Sequence, residues 1–333
     1  MNTRSKLPNL LSPAKPTSLY DEFWHFAAKR QEIFFNKFKQ QKDLVIEDPV
    51  INEYKFTNAY RASDRVSQYL IRFVQYNKEQ SVPDVFFRTL LFKFFNSIET
   101  WQLLQSEVGE ISYRNINFDT YDKVLTKALR VGKRVFSGAY IMPSGTTTFG
   151  SHLKHRNLLQ LLRRLMEDKV PGKIKKARSM QKAFCILREY PMLGDFLAYQ
   201  YVIDLNYSSI LSFSEMDFVM PGPGARSGLN KCFSSLGNIS EPELIRFVTE
   251  IQEEEFQRRG IKFTTLWGRT LQLIDIQNLF CEIDKYSRIA YPSFAGGNGR
   301  KRVKQRYLPK KEAIEYWYPP KWGIDTTKEP VVI

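Results

Sequence analysis

Residues 218–233, FVMPGPGARSGLNKCF, constrain this chain more than any other stretch. An apolar approach runs into a Pro-Gly-Pro-Gly turn and then into the start of a helix. Gly222 and Gly224 lack a Cβ, which opens positive φ to both and lets a partner approach the backbone closely. Peptide N–H groups at such a turn, followed by a helix N-terminus, suit an anion, and the commonest macromolecular anion is a phosphodiester. The competing reading is a tight loop between two packed helices. The rest of the chain has to separate the two.

Strand-like alternation is nearly absent. Apolar residues recur at helical spacing instead, which predicts an all-α chain with long loops and no internal repeats. Residues 18–42 carry Phe23, Phe26, Phe34 and Phe38 at near-helical spacing. After Asp48-Pro49, Thr57 or Asn58 is placed to cap a helix whose apolar face is Ala59, Ala62, Val66, Tyr69 and Phe73. Its other face is Asn58, Arg61, Arg65, Gln68 and Arg72, with Asp64 on the edge. Such a face can be plain solvated surface, but three arginines with one acidic neighbour lean toward function. Asp64 is placed to hold Arg61 or Arg65 as a fork for a phosphate or a base edge.

Residues 81–105 are rich in phenylalanine and read as core helices, and 119–131 as another helix. A Gly/Thr loop follows, and then His152 and His155 at i, i+3 spacing. They lack the intervening glutamate of a zinc-protease pattern, so no metal is expected. The basic stretch KIKKARSMQK, 173–182, reads as solvated surface. Further helices are expected from near Met192, with Asp204 toward its end, over 242–260, and over 271–288. Residues 1–17 read as a flexible N-terminus, 18–290 as a helical domain, in one body or in two lobes with a cleft between them, and 291–333 as a basic C-terminal extension.

Lysine and arginine total 50 against 35 acidic residues, a net charge of +15 that favours nucleic acid or another anionic surface as partner. No apolar run is long enough to cross a membrane, and the N-terminus lacks the apolar core of a signal peptide. Cys185, Cys232 and Cys281 are far apart and odd in number, which reads as reduced, buried thiols in a cytoplasmic protein.

MPGPGARSG followed by a helix resembles the helix-hairpin-helix of the DNA glycosylase superfamily, and the resemblance implies an all-α, glycosylase-like helical architecture. A second resemblance covers most of the chain. FTNAYRASDR, LGDFLAYQYVIDLNYS, GPGARSGL and DIQNLFCEIDKYSR, in that order, are similar to the 5-hydroxymethyluracil DNA kinase helical domain, or α-glutamyl/putrescinyl thymine pyrophosphorylase, family. That family implies hypermodified pyrimidines in phage DNA. A kinase needs a phosphate-binding loop, and no GxxxxGK[ST] occurs in these residues, so a stand-alone helical domain is expected.

These resemblances together imply a monofunctional glycosylase. It would flip a hypermodified pyrimidine out of double-stranded phage DNA and excise it in antiphage defence, with no cofactor and no obligate protein partner. The hairpin amides at Gly222, Gly224, Ala225 and Arg226, together with Arg65, would hold the DNA backbone. Asp275 stands where the superfamily keeps its catalytic aspartate, with Glu282, Asp204 and Asp284 as further candidates. Asn58, Tyr60, Arg61, Asp64, Gln277 and Asn278 would surround the base. Arg226 occupies the position of the lysine nucleophile of bifunctional relatives, and its guanidinium forms no Schiff base. The alternatives are an enzyme that hypermodifies the base and a module that only binds modified DNA.

Overall fold

The computed structural model describes residues 13–39, 46–77, 80–138, 142–143, 147–294, 303, 305–308 and 314–333. Residues 1–12, part of the Gly/Thr loop before His152 and most of the basic 296–311 stretch lie outside the described residues.

The chain is all-α. Numbered along it, α1 (Ser18–Phe38) and α2 (Pro49–Glu53) come first. They are followed by α3 (Arg65–Tyr69), α4 (Val82–Phe95), α5 (Ile98–Val108) and α6 (Phe118–Arg130). Next come α7 (Lys154–Glu167), α8 (Val170–Lys175), α9 (Met180–Arg188) and α10 (Asp195–Tyr207). The last are α11 (Pro223–Cys232), α12 (Glu241–Glu250), α13 (Gln252–Arg258) and α14 (Leu273–Ala290). Among the described residues the one sheet is a two-stranded antiparallel pair, β1 (Lys15–Pro16) with β2 (Phe233–Ser235). No helix among them is long and apolar enough to cross a membrane.

Two compact units emerge. The first takes residues 1–61, 219–313 and 324–333, and therefore α1, α2 and α11 to α14. Its centre is the packing of α11 on α14. A Cβ on Gly228 would overlap the Phe280 carbonyl, and one on Gly224 would overlap the Cys281 side chain. The two helix backbones therefore meet at a distance only glycine allows. Around that contact Phe23 stacks on Phe280 with centroids 4.5 Å apart, and Phe256 stacks on Phe263 at 4.3 Å. The last residues close the same unit, with Phe263 and Ile333 exchanging backbone hydrogen bonds of 3.0 and 2.9 Å.

The second unit takes residues 62–218 and 314–323. Its hub is α4, whose residues from Asp84 to Phe95 are all buried because other helices pack around it on every side. Residues 314–323 are tied down within this unit by the Trp317 N–H to Gln68 Oε1 at 2.7 Å and by Ser63 and Tyr318 hydroxyls 2.8 Å apart. The Lys321 ammonium donates to the carbonyls of Asn206, Ser208 and Leu211.

Three sequence expectations are corrected here. The helix expected from Thr57 or Asn58 begins only at Arg65, after a short 3-10 turn (Arg61–Ser63), and passes into a π-helical stretch (Leu70–Gln75). Its faces are displaced accordingly: Gln68 is 3 % exposed while Phe73 is 43 % exposed. At Phe73 the π-helical turns break the 3.6-residue period on which the faces were assigned, and Gln68, ahead of them, is turned inward by its bonds to the Ala62 carbonyl and the Trp317 N–H. The charged helix expected over 242–260 breaks at Ile251 into α12 and α13. Of the three thiols expected to be buried, Cys185 is exposed.

If the glycine contact fixes the first unit, Gly228→Ala should lower stability in chemical denaturation by about 3 kcal/mol, because the obstacle is backbone and cannot swing away. Gly172→Ala, where a Cβ meets nothing within 4 Å and the residue is helical, should raise stability by about 0.5–1 kcal/mol.

Candidate functional site

The functional candidates gather on α14. At 100° per residue, Asp275, Asn278, Glu282 and Lys285 share one face, with Asp275 and Glu282 about 10 Å apart along the axis. Residues 57–61 run along that face. Asp275 Oδ1 accepts the Arg61 N–H at 2.8 Å, and Glu282 Oε2 accepts the Thr57 N–H at 3.1 Å. Two carboxylates two helical turns apart thus hold both ends of a five-residue ledge.

The ledge is fixed from its other side as well. Arg30 of α1 donates from Nε to the Thr57 carbonyl at 3.0 Å, and from its terminal nitrogen to the Phe56 carbonyl at 3.2 Å and Asn58 Oδ1 at 3.3 Å. The Tyr60 hydroxyl donates to the Arg269 carbonyl at 2.6 Å. Asn58 and Asn278 are half-buried on ledge and helix, while Tyr60, Arg61 and Gln277 are buried.

The carboxylates have different work. Asp275 spends both oxygens on backbone N–H groups, since Oδ2 takes the N–H of Gln272 at 3.0 Å and so caps α14. Among the described residues Glu282 holds Thr57 and Lys285 through Oε2, with Lys285 Nζ at 2.6 Å and also 4.6 Å above the Phe56 ring.

Asp284 lies nine residues from Asp275 and therefore on the opposite face, toward α11. There it accepts from Ser227 Oγ at 2.7 Å, lies 2.8 Å from Lys231 Nζ and pairs with Arg288. Burial alone would raise this carboxyl, but the hydrogen bonds from Lys231 and Ser227 and the Arg288 charge outweigh it and hold it below the usual carboxylate range. Cys281, on the same side, is pushed up to about 12 by burial first and by the Glu282 charge second, which leaves it a neutral thiol.

Asp204, Asp64 and Arg65 belong to the second unit. Asp204 is fully buried there with Lys93 Nζ 3.3 Å from Oδ2, Asp64 stands at the N-cap of α3, and Arg65 begins that helix half-buried.

The hairpin is corrected most. Gly222 has φ −80 as the N-cap of α11, and neither it nor Gly224 takes a positive φ. Gly224 faces α14 and Ala225 is fully buried, so the close approach their size permits is made by the chain's own helix rather than by a phosphate. Arg226 is half-exposed, with Nε 3.2 Å from Glu241 Oε2. The sequence reading missed Arg30. Its signal was available: it sits four residues from both Phe26 and Phe34, a cation inside an apolar stripe.

The family model described as "5-hmdU DNA kinase, helical domain" matches residues 17–296, and the chain belongs to that family. A "5-hmdU DNA kinase" of Bacillus phage SP10 is 25% identical over 294 residues, covering 82% of this chain and 46% of the relative. The chain thus spans just under half the length of that relative. No solved structure matches. The match overturns the expected base-excising glycosylase: the named relative is a kinase, which transfers a group and hydrolyses no glycosidic bond.

Because the folded Asp284 carboxyl titrates below its unfolded value, the stability it contributes is present above about pH 4 and is lost as pH falls through the folded value. Urea titrations between pH 7 and pH 3 should therefore show an acid limb that Asp284→Asn flattens. At pH 7 the same variant should be weaker by about 3–5 kcal/mol, since it leaves buried Lys231 without its counter-charge.

Proposed function

We propose that this chain serves the hypermodification of DNA bases, engaging DNA that carries a 5-hydroxymethyl pyrimidine while a group is added to the base. The observation that carries the proposal is the family match across residues 17–296, which takes in the ledge, α11 and α14 together. The net charge of +15 supports a polyanionic partner.

A reaction that builds on the 5-substituent needs a base to take the proton from the attacking nucleophile. Glu282 suits this role better than Asp275, whose two oxygens are both committed to backbone N–H groups. Asp275 acts as a positioning residue, fixing the ledge at Arg61. Asn58 and Asn278 carry amides able to meet the donor and acceptor edge of a pyrimidine. Arg226, exposed at the start of α11, is offered as a strand contact.

A module that binds modified DNA without changing it is the second reading, favoured by the absence of GxxxxGK[ST] from these residues. One incubation separates the two. Duplexes containing thymine or 5-hydroxymethyluracil are offered with ATP and magnesium, and with a primary amine on 5-phosphorylated base, then digested to nucleosides for mass spectrometry. The expected product is a heavier, donor-dependent nucleoside with no free base released. Glu282→Gln should slow its formation by about 100-fold or more while retaining the duplex. Retention of an unchanged 5-hydroxymethyluracil duplex by the wild type would establish the binding module instead.

A further inference from the structure

A densely cationic described surface lies in the second unit, on α8 and the start of α9. From Lys169 to Lys182 the chain contains no aspartate or glutamate. Lys169, Lys173, Lys175, Lys176, Arg178 and Lys182 are all exposed. One of the six is used internally, since Lys175 Nζ donates to the Ile210 carbonyl at 2.9 Å. The other five make no ion pair with a carboxylate among the described residues. The nearest acidic group in sequence, Asp168, is already engaged by Arg164 Nε at 2.9 Å and by the Tyr190 hydroxyl at 3.0 Å.

The scaffold beneath these charges is rigid. Val170, Ile174, Met180, Ala183 and Leu187 are fully buried and seat α8 and α9 on the unit's core. Asp217 Oδ2 accepts the Met180 N–H at 3.1 Å, and Ser179 Oγ accepts the Lys182 N–H at 3.2 Å, which fixes the turn between the two helices. Lys169 sits at φ +56, a left-handed conformation uncommon for a lysine. Like charges spaced three and four residues apart repel each other on a helix surface. A face that keeps such charges together with no ion pair to a carboxylate among the described residues suits an external polyanion.

We propose that residues 169–182 form a second nucleic-acid contact, which takes the phosphodiester backbone of duplex DNA independently of base identity. The inference rests on the reading of the chain as a DNA-engaging protein and adds where the second unit touches the strand. Lysine and arginine contacts to phosphate release counter-ions, so each contributes about 0.9 to the slope of log affinity against log salt.

The test compares the full chain with a triple variant, Lys173→Gln, Lys176→Gln and Arg178→Gln. Fluorescence anisotropy is measured on thymine and 5-hydroxymethyluracil duplexes from 50 to 300 mM salt, with matching thermal melts confirming the fold. The variant should bind both duplexes at least about tenfold more weakly at 100 mM salt, with the slope reduced by about 2 to 3. Unchanged affinity and slope would overturn the proposed contact while leaving a wild-type preference for the modified duplex intact. A wild type that binds the two duplexes equally, with the slope still lost in the variant, would keep the contact and remove the modified-base reading. A wild type that binds neither duplex overturns both.

Discussion

The first unit depends on one close approach between two helix backbones. Gly228 lies against the Phe280 carbonyl and Gly224 against the Cys281 side chain, so α11 meets the α14 backbone directly at Gly228. That approach sets the rotation of α14 about its own axis, and the rotation decides what each of its polar residues can do. With the Phe280–Cys281 side given to α11, Asp284 must find its partners there, in Ser227, Lys231 and Arg288. The opposite side, carrying Asp275 and Glu282, is left to meet residues 57–61. A rotation of one residue, 100°, would turn both sets of carboxylates away from their partners.

Charge burial follows from that geometry. Asp284, Glu282 and Asp204 are each buried with a cation close by, and the opposite charge offsets part of the cost of leaving water. Such pairs add little net stability compared with apolar packing, but losing one member strands the other. The α14 groups therefore fix position more than they contribute energy. The same holds for Arg30, whose guanidinium is spent on two carbonyls and one side-chain amide of a segment without regular secondary structure. Arg30 thereby serves acceptors that no helix or sheet ladder reaches. The ledge stays irregular because side chains from α1 and α14 supply the hydrogen bonds that helix or sheet would have given it.

Much of this was legible in the sequence, and what was not has a physical reason. The helical periods of 81–105 and 271–288 marked α4, α5 and α14, because an apolar pattern at 3.6 residues is a local property. The seven-residue spacing of Asp275 and Glu282 placed them on one face for the same reason. Their partners could not be read, because Thr57 and Arg61 are more than 200 residues away and the bonds are to backbone N–H groups, which carry no sequence signature. The helix expected from Asn58 failed where non-local bonds to Arg30, Asp275 and Glu282 outweighed local propensity. The π-helical Leu70–Gln75 stretch exposes Phe73, while Gln68, ahead of it, is buried by its bonds to the Ala62 carbonyl and the Trp317 N–H.

The hairpin shows why a short motif underdetermines chemistry. A missing Cβ has two physical uses, admitting a ligand or admitting another helix, and the residues MPGPGARSG are identical under both. What lies where the Cβ would be separates them, and here it is α14. Gly224 and Gly228 are given to packing on α14, and Arg226 is set beside Glu241. A protein that removes a base and one that builds on it share their first task, which is to hold the strand with a base accessible. A helical scaffold able to do that is neutral between the two outcomes. The difference lies in the few side chains beside the base, and the place we propose for them is the ledge, where Glu282 is a carboxylate not wholly committed to backbone.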